Sequence, residues 1–177
     1  LTKSLNILIS KASGYYIARQ DSDDISRSTR FEKQIKFIEQ KNLDGCSTKS
    51  YMIQKKMVSP KYSLYLNPKF VSLFKNPFVH GSLIIKRAAI SEINNYNENF
   101  MYTQDFKLTS DLINNGFKLR VLNQVLYESN TVNNISNKFH NEQKSFAKKI
   151  KSENIGYLLG KKWITYTLIK QMKIGLS

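Results

Sequence analysis

The sequence predicts an α/β fold, and three observations carry that prediction. Residues 15–38 read as a short strand, an acidic loop and a helix in succession, the unit from which α/β sheets are assembled. Phe117, Leu119 and Val121 alternate with Lys118 and Arg120, the period of two that marks a half-buried strand. Just before them, Asp105 opens a segment in which Leu108 and Leu112 recur at helical spacing and Gly116 supplies a stop.

The elements follow in order. A first helix carries Leu1, Leu5, Leu8 and Ala12 on one face, with Gly14 placed for a left-handed C-terminal cap. Tyr15–Arg19 is rich in strand formers and runs into Asp21-Ser22-Asp23-Asp24. Thr29 and Glu32 have the spacing of a capping box, and Phe31, Ile35 and Ile38 share one face of the helix behind it. A strand is expected at Ser50–Ile53, after which Pro60, Pro68 and Pro77 interrupt any long element. Val79–Ile85 reads as a buried strand, Arg87–Ile93 as a short helix, Asn94–Asn99 as a polar turn and Val125–Tyr127 as a further strand. From about Ser136 the pattern is helical and basic, which divides the chain into an α/β body over residues 1–135 and a C-terminal segment over 136–177. Because the chain opens on Leu1 in mid-pattern, an N-terminal truncation is expected.

Composition narrows the chemistry. With 177 residues, 41% apolar content, ten Phe and ten Tyr, the chain can bury a core without disulfides. Its single cysteine, Cys46, excludes a disulfide framework and multi-cysteine zinc sites, and two histidines argue against a histidine-rich metal site. Any chemistry therefore rests mainly on carboxylates. The net charge of +15 invites a nucleic-acid partner, but the lysines are scattered and no recognition motif accompanies them, so none is expected. No apolar run reaches the roughly 18 residues a membrane span needs.

Against that positive background, three carboxylates within Asp21–Asp24 repel one another unless a cation compensates them. Alternation at a strand end puts Asp21 and Asp23 on one side, where two hard oxygen ligands suit Mg²⁺ or Mn²⁺. Helix capping by Asp24 is the plainer alternative. Asp105, at a predicted helix start, gains about 0.3–1 kcal/mol there as a carboxylate, and it too could be only a cap.

Leu5-Asn6, Ala12, Gly14, Tyr16-Ile17-Ala18-Arg19 and the acidic cluster, then Arg30-Phe31 and Gln34, resemble the central block of family 2 glycosyltransferases of GT-A fold. A second block, in order and spacing, comprises Asn76-Pro77, His80, Lys86-Arg87, Asn95–Phe100 and Gln104-Asp105. The likeness covers about residues 1–128. It implies a Rossmann-like nucleotide-sugar transferase fold lacking its first strands and followed by a helical tail. It also implies an inverting transfer from a nucleotide-diphosphate sugar to a glycan or lipid-linked acceptor, in bacterial surface polysaccharide synthesis. Asp21 and Asp23 would then hold the divalent ion, Asp105 would be the general base, and Asp21, Asp24, His80 and Gln104 would meet substrate. A cytoplasmic site, peripheral at the inner face of the plasma membrane, goes with that activity. Leu8 where the family usually has Gly, Gln104 for Glu and Thr109 for a common Trp depart from the pattern. Without the family's first strands, the polypeptide alone is expected to bind nucleotide sugar poorly.

The tail has two readings. Residues 144–177 hold eight lysines and one acid, interleaved with Leu158, Leu159, Trp163, Ile164, Leu168 and Ile169. They form either an ordinary helix packed on the domain or a cationic helix lying on an anionic leaflet. The alternative to an enzyme is a non-catalytic basic module that binds anionic membrane or nucleic acid.

Overall fold

Helix α1 (Thr2–Lys11) buries Thr2, Leu5 and Ile9 and leaves Leu8 exposed, so its inner stripe is rotated from the one that the leucines alone suggest. It ends on an extended Ala12 (φ −75°, ψ 130°) that leads straight toward β1 (Tyr16–Ala18); Gly14 is not left-handed. After β2 (Ile25–Ser26), a turn bonding Arg30 N–H to Arg27 C=O starts α2 (Arg30–Gln40). Thr29 makes no side-chain cap there, because its ψ of 6° is near-helical and takes the hydroxyl away from the first-turn amides. The computed structural model describes residues 1–130 and 139–174, with His140 and residues 161–174 as backbone only.

The remaining elements are β3 (Gly45–Met52), β4 (Met57–Ser59), α3 (Pro68–Val71), β5 (Ile84–Lys86), α4 (Arg87–Glu92), α5 (Gln104–Asn114), β6 (Leu119–Ser129) and α6 (His140–Ile174). Single 3₁₀ turns occupy Ser63–Tyr65 and His80–Ser82. The second of these replaces the front half of the strand expected over Val79–Ile85. Ser82 explains the break: its hydroxyl donates to Val79 C=O and accepts the Thr48 N–H at 3.0 Å, locking the chain in a turn. The two strands expected near 117–127 are one strand, β6. Gly116 (φ +95°) follows α5, as expected of a helix stop.

Six strands form one sheet in the order β1-β5-β3-β6-β2, with β4 also on β3. β1 is antiparallel to β5, β5 to β3, and β3 is parallel to β6, so β1, β3 and β6 run the same way. The ladder between β3 and β6 shifts register around Lys49. Alternation along β5 divides the core: Ile85 faces the cluster of Leu5, Ile9, Ala89, Ile90, Leu108 and Leu112, while Ile84 faces Ile38, Leu43 and Cys46. Helices α1, α4 and α5 thus cover one face and α2 the other.

The buried stripe of α2 is Arg30, Gln34 and Ile38, whereas Phe31 is 49% exposed. Two polar side chains can lie there because β3 and the 3₁₀ turn offer carbonyls: Gln34 Nε2 donates to Cys46 C=O at 3.1 Å and Ser82 C=O at 2.9 Å. The described side chains of α6 dock on α5. Phe146 and Ile150 pack with Phe100 and Phe106, and Asn154 bonds Asn114, Ser110 and the Ser72 carbonyl. That docking matches the packed-helix reading over residues 139–160. The proposed division at 135/136 and the side chains of the rest of the tail lie outside the described residues.

Candidate active site

The cleft forms where the carboxyl ends of β1 and β6 meet the 3₁₀ turn at His80 and the first turn of α5. This is the end of a sheet at which α/β proteins bind ligands. It encloses about 850 Å³ and brings together all six residues singled out in the sequence: Asp21, Asp23, Asp24, His80, Gln104 and Asp105. Arg19 and Tyr127, which the sequence did not mark as site residues, line it as well.

Strand β1 ends at Ala18, so the acidic cluster is a turn rather than a strand end, closed by Asp24 N–H on Asp21 C=O. Turn geometry, not alternation, brings Asp21 and Asp23 to the same cleft. Asp21 is paired with the Arg19 guanidinium, and its N–H donates to the Tyr127 hydroxyl at 3.2 Å. Asp23 is exposed and has no protein partner among the described residues. Asp24 is the anchored member: it accepts the Asn130 N–H at 2.7 Å and a bond from the Tyr127 hydroxyl. Burial raises the Asp24 carboxyl above its ordinary range, those two bonds pull it back, and Asp21 and Asp23 add to the rise. Tyr127 is raised in turn, by burial first and then by its bond to Asp24.

The floor beneath this turn is built from α2. Arg30, 1% exposed, donates to Arg19 C=O at 3.1 Å and to Gln20 Oε1 at 3.3 Å, with the rings of Phe31 and Tyr127 on its flanks. The opposite wall carries Asp105, whose Oδ2 accepts Asn76 Nδ2 at 3.0 Å. His80 Nε2 lies 2.8 Å from the Tyr96 hydroxyl. Burial, helped by Arg19, holds the imidazole below its ordinary value against the opposing pull of Asp105 and Asp21. His80 thus senses charge from both walls. Gln104 lines the cleft with its Oε1 unbonded among the described residues.

Among the described residues no three His, Cys, Asp or Glu side chains gather as a closed metal cage. The donor set still fits a divalent ion shared with a ligand. Asp23 offers both oxygens, Asp21 keeps one oxygen clear of Arg19, and Mg²⁺ commonly takes one or two carboxylates, completing its shell with water and phosphate.

Residues 1–106 match the family described as Glycosyl transferase family 2, and the chain belongs to that family. An uncharacterized glycosyltransferase of Haemophilus influenzae is 29% identical over 97% of this chain and 57% of its own length. The O-antigen biosynthesis glycosyltransferase WbnJ of Escherichia coli is 31% identical over 64% of this chain and 46% of its own. The amylovoran biosynthesis glycosyltransferase AmsE of Erwinia amylovora is 25% identical, covering 97% and 67%. The chain therefore spans about half the length of the first two relatives. Among solved structures, S. aureus TarS 1-349 superposes with a TM-score of 0.61 at 18% identity, over 89% of this chain and 50% of that one. Its complex with UDP-GlcNAc gives 0.59 at 16% identity, over 73% and 38%. These likenesses establish the GT-A fold.

Proposed function

We propose that this chain carries the metal-side and base-side walls of an inverting glycosyltransferase. It would move a sugar from a nucleoside-diphosphate sugar to a hydroxyl of a glycan or lipid-linked acceptor during bacterial surface polysaccharide synthesis. The observation that carries the reading is a single cleft with Asp21 and Asp23 on one wall and Asp105 on another. Family membership supports it, as do relatives named for O-antigen and amylovoran biosynthesis and a fold neighbour crystallised with UDP and UDP-GlcNAc.

In this reading Asp23 and the free oxygen of Asp21 hold Mg²⁺ or Mn²⁺, which supplies Lewis-acid stabilisation of the leaving diphosphate. Arg19 keeps Asp21 oriented and adds positive charge to the donor wall. Asp105 Oδ takes the proton of the acceptor hydroxyl as that oxygen bonds the anomeric carbon, and the sugar–phosphate bond breaks with its electron pair leaving on the diphosphate. Asn76 fixes the rotamer of Asp105. His80 and Gln104 contact sugar or acceptor hydroxyls. Asp24, already bonded to Asn130 and Tyr127, positions the acidic turn rather than the sugar.

Release of nucleoside diphosphate from a panel of donors, with Mn²⁺ and acceptor, tests the reading on the full protein and its Asp23→Ala and Asp105→Asn variants. Asp105→Asn should keep donor binding and lose turnover by about a hundredfold or more, and Asp23→Ala should lose metal-dependent donor binding. Turnover undiminished in excess chelator, or in Asp105→Asn, overturns it.

A further inference from the structure

A second surface stands apart from the cleft, on the segment that leads from β4 to Asn76. Tyr62, Tyr65, Leu66, Phe70 and Phe74 are each between 56% and 81% exposed, and none lines the cleft. Single exposed apolar side chains are ordinary on a protein surface, but five within residues 62–74 make a patch. Local structure displays it. Helix α3 turns Pro68, Val71 and Ser72 inward, which leaves Phe70 outside, and Phe74 N–H on Val71 C=O places Phe74 one turn later in the same exposed setting.

Charge says what covers the patch. Lys61, Lys69 and Lys75 are interspersed with these side chains, and no Asp or Glu occurs anywhere between Asp44 and Glu92. A soluble polyanion would be met by the lysines alone and leaves Leu66, Phe70 and Phe74 without a purpose. Aromatic and aliphatic side chains among lysines, with no acid nearby, have the chemistry of an anionic lipid interface. Rings settle at headgroup level and ammonium groups meet the phosphates.

We propose that the Lys61–Lys75 segment seats this chain on an anionic phospholipid leaflet, with Phe70 and Phe74 entering the headgroup–acyl boundary. Two contacts link the segment's end to the Asp105 wall and to α6. Asn76, two residues beyond Phe74, holds Asp105, and Asn154 of α6 donates to the Ser72 carbonyl at 2.9 Å. Binding here would therefore bring the Asp105 wall of the cleft toward the leaflet. The inference does not depend on the transferase reading, since it concerns lipid contact and not turnover.

Co-sedimentation of the full chain with phosphatidylcholine vesicles, with and without phosphatidylglycerol, tests it. Wild type should pellet with the anionic vesicles only. Phe70→Gln with Phe74→Gln, and separately Lys61→Gln with Lys69→Gln and Lys75→Gln, should each weaken partitioning about tenfold or more. The tail set Lys161→Gln, Lys162→Gln, Lys170→Gln and Lys173→Gln should stay within about twofold of wild type. Phe70→Trp in a Trp163→Phe background gives a readout in folded protein, a blue shift and quenching by brominated lipid. Equal binding to both lipid sets, a loss confined to the tail set, wild-type binding by the Phe70/Phe74 variant, or bound protein with unshifted emission each overturns the proposal.

Discussion

Asn76 Nδ2 donates to Asp105 Oδ2 at 3.0 Å, and the amide can face no other way. Its Oδ1 already takes the Phe78 N–H and the Thr109 hydroxyl, both at 3.1 Å. Thr109, which departs from the family's usual Trp, thus belongs to the support of the carboxylate. Asn76→Ala removes a charge-assisted bond of about 1.5–3 kcal/mol. It should lower kcat roughly ten- to a hundredfold with the donor KM near wild type, read by steady-state release of nucleoside diphosphate.

Gly81 is required by Tyr127. A Cβ at Gly81 would lie 2.2 Å from the Tyr127 hydroxyl and 2.7 Å from its Cζ, and that hydroxyl is the tie between β6 and the acidic turn. Gly81→Ala should cost about 1–3 kcal/mol in urea unfolding. Tyr127→Phe deletes the nearest clashing atom but also the bond to Asp24, so it should be destabilising alone. Combined with Gly81→Ala it should cost less than the two single losses together. Strict additivity would mean the two side chains do not meet.

Arg30 is a buried cation whose acceptors are carbonyl and amide oxygens, with no carboxylate partner among the described residues. Burial accordingly holds its guanidinium below the usual value. The planar fork sends Nη1 to Gly81 C=O and Nη2 to Arg19 C=O and Gln20 Oε1, and lies against two rings, which an ammonium cannot reproduce. Arg30→Lys should therefore destabilise by about 2–3 kcal/mol and raise the donor KM as the Arg19–Asp21 wall loosens. Denaturant unfolding and donor titration measure the two effects.

Arg30 also marks the limit of what pattern reading can extract. Pattern reading located α1, α2, α4, α5 and β6 as elements, but in α1 and α2 it misplaced the buried face, since Leu8 and Phe31 are exposed. It caught only the end of β3, which the strand expected at Ser50–Ile53 overlaps at Ser50–Met52; the rest escaped because Ser47, Thr48 and Ser50 are buried yet polar, held by Ser82 and Ser129 and by the parallel ladder to β6. It failed likewise on α2, where Arg30 and Gln34 take inward positions that an apolar pattern assigns to Phe31 and Ile35. The carboxylates of the cleft were legible as a charge anomaly in a basic chain. Tyr127 was not, since an aromatic ending a strand looks like any core residue until its hydroxyl is seen on Asp24. The Asn76 contact was equally hidden, because 29 residues separate it from Asp105.

His80 offers a test by pH. Its imidazole is held below the ordinary histidine value of about 6.5, chiefly by burial and further by Arg19, while Asp105 and Asp21 pull it up. A depressed folded pKa means the folded state binds the proton less readily than the unfolded chain. The stability gained from neutral His80 is thus complete above the unfolded value and is lost as pH falls through the folded one. Asp24 and Asp111, both raised by burial, act in the opposite sense: their contribution is present below the unfolded carboxyl value and fades as pH rises through the folded one. His80→Gln should therefore flatten the fall in unfolding free energy just below about pH 6.5 and leave the carboxylate-driven changes at lower pH. Because the chain has two histidines, His140→Gln leaves one imidazole Cε1–H resonance to follow by NMR. Its midpoint should fall below about 6.5, and lower still in Asp105→Asn, which removes one of the two attractive charges. A midpoint above the ordinary value, or one indifferent to Asp105→Asn, would show that burial does not govern this imidazole and that the two walls of the cleft do not act on it together.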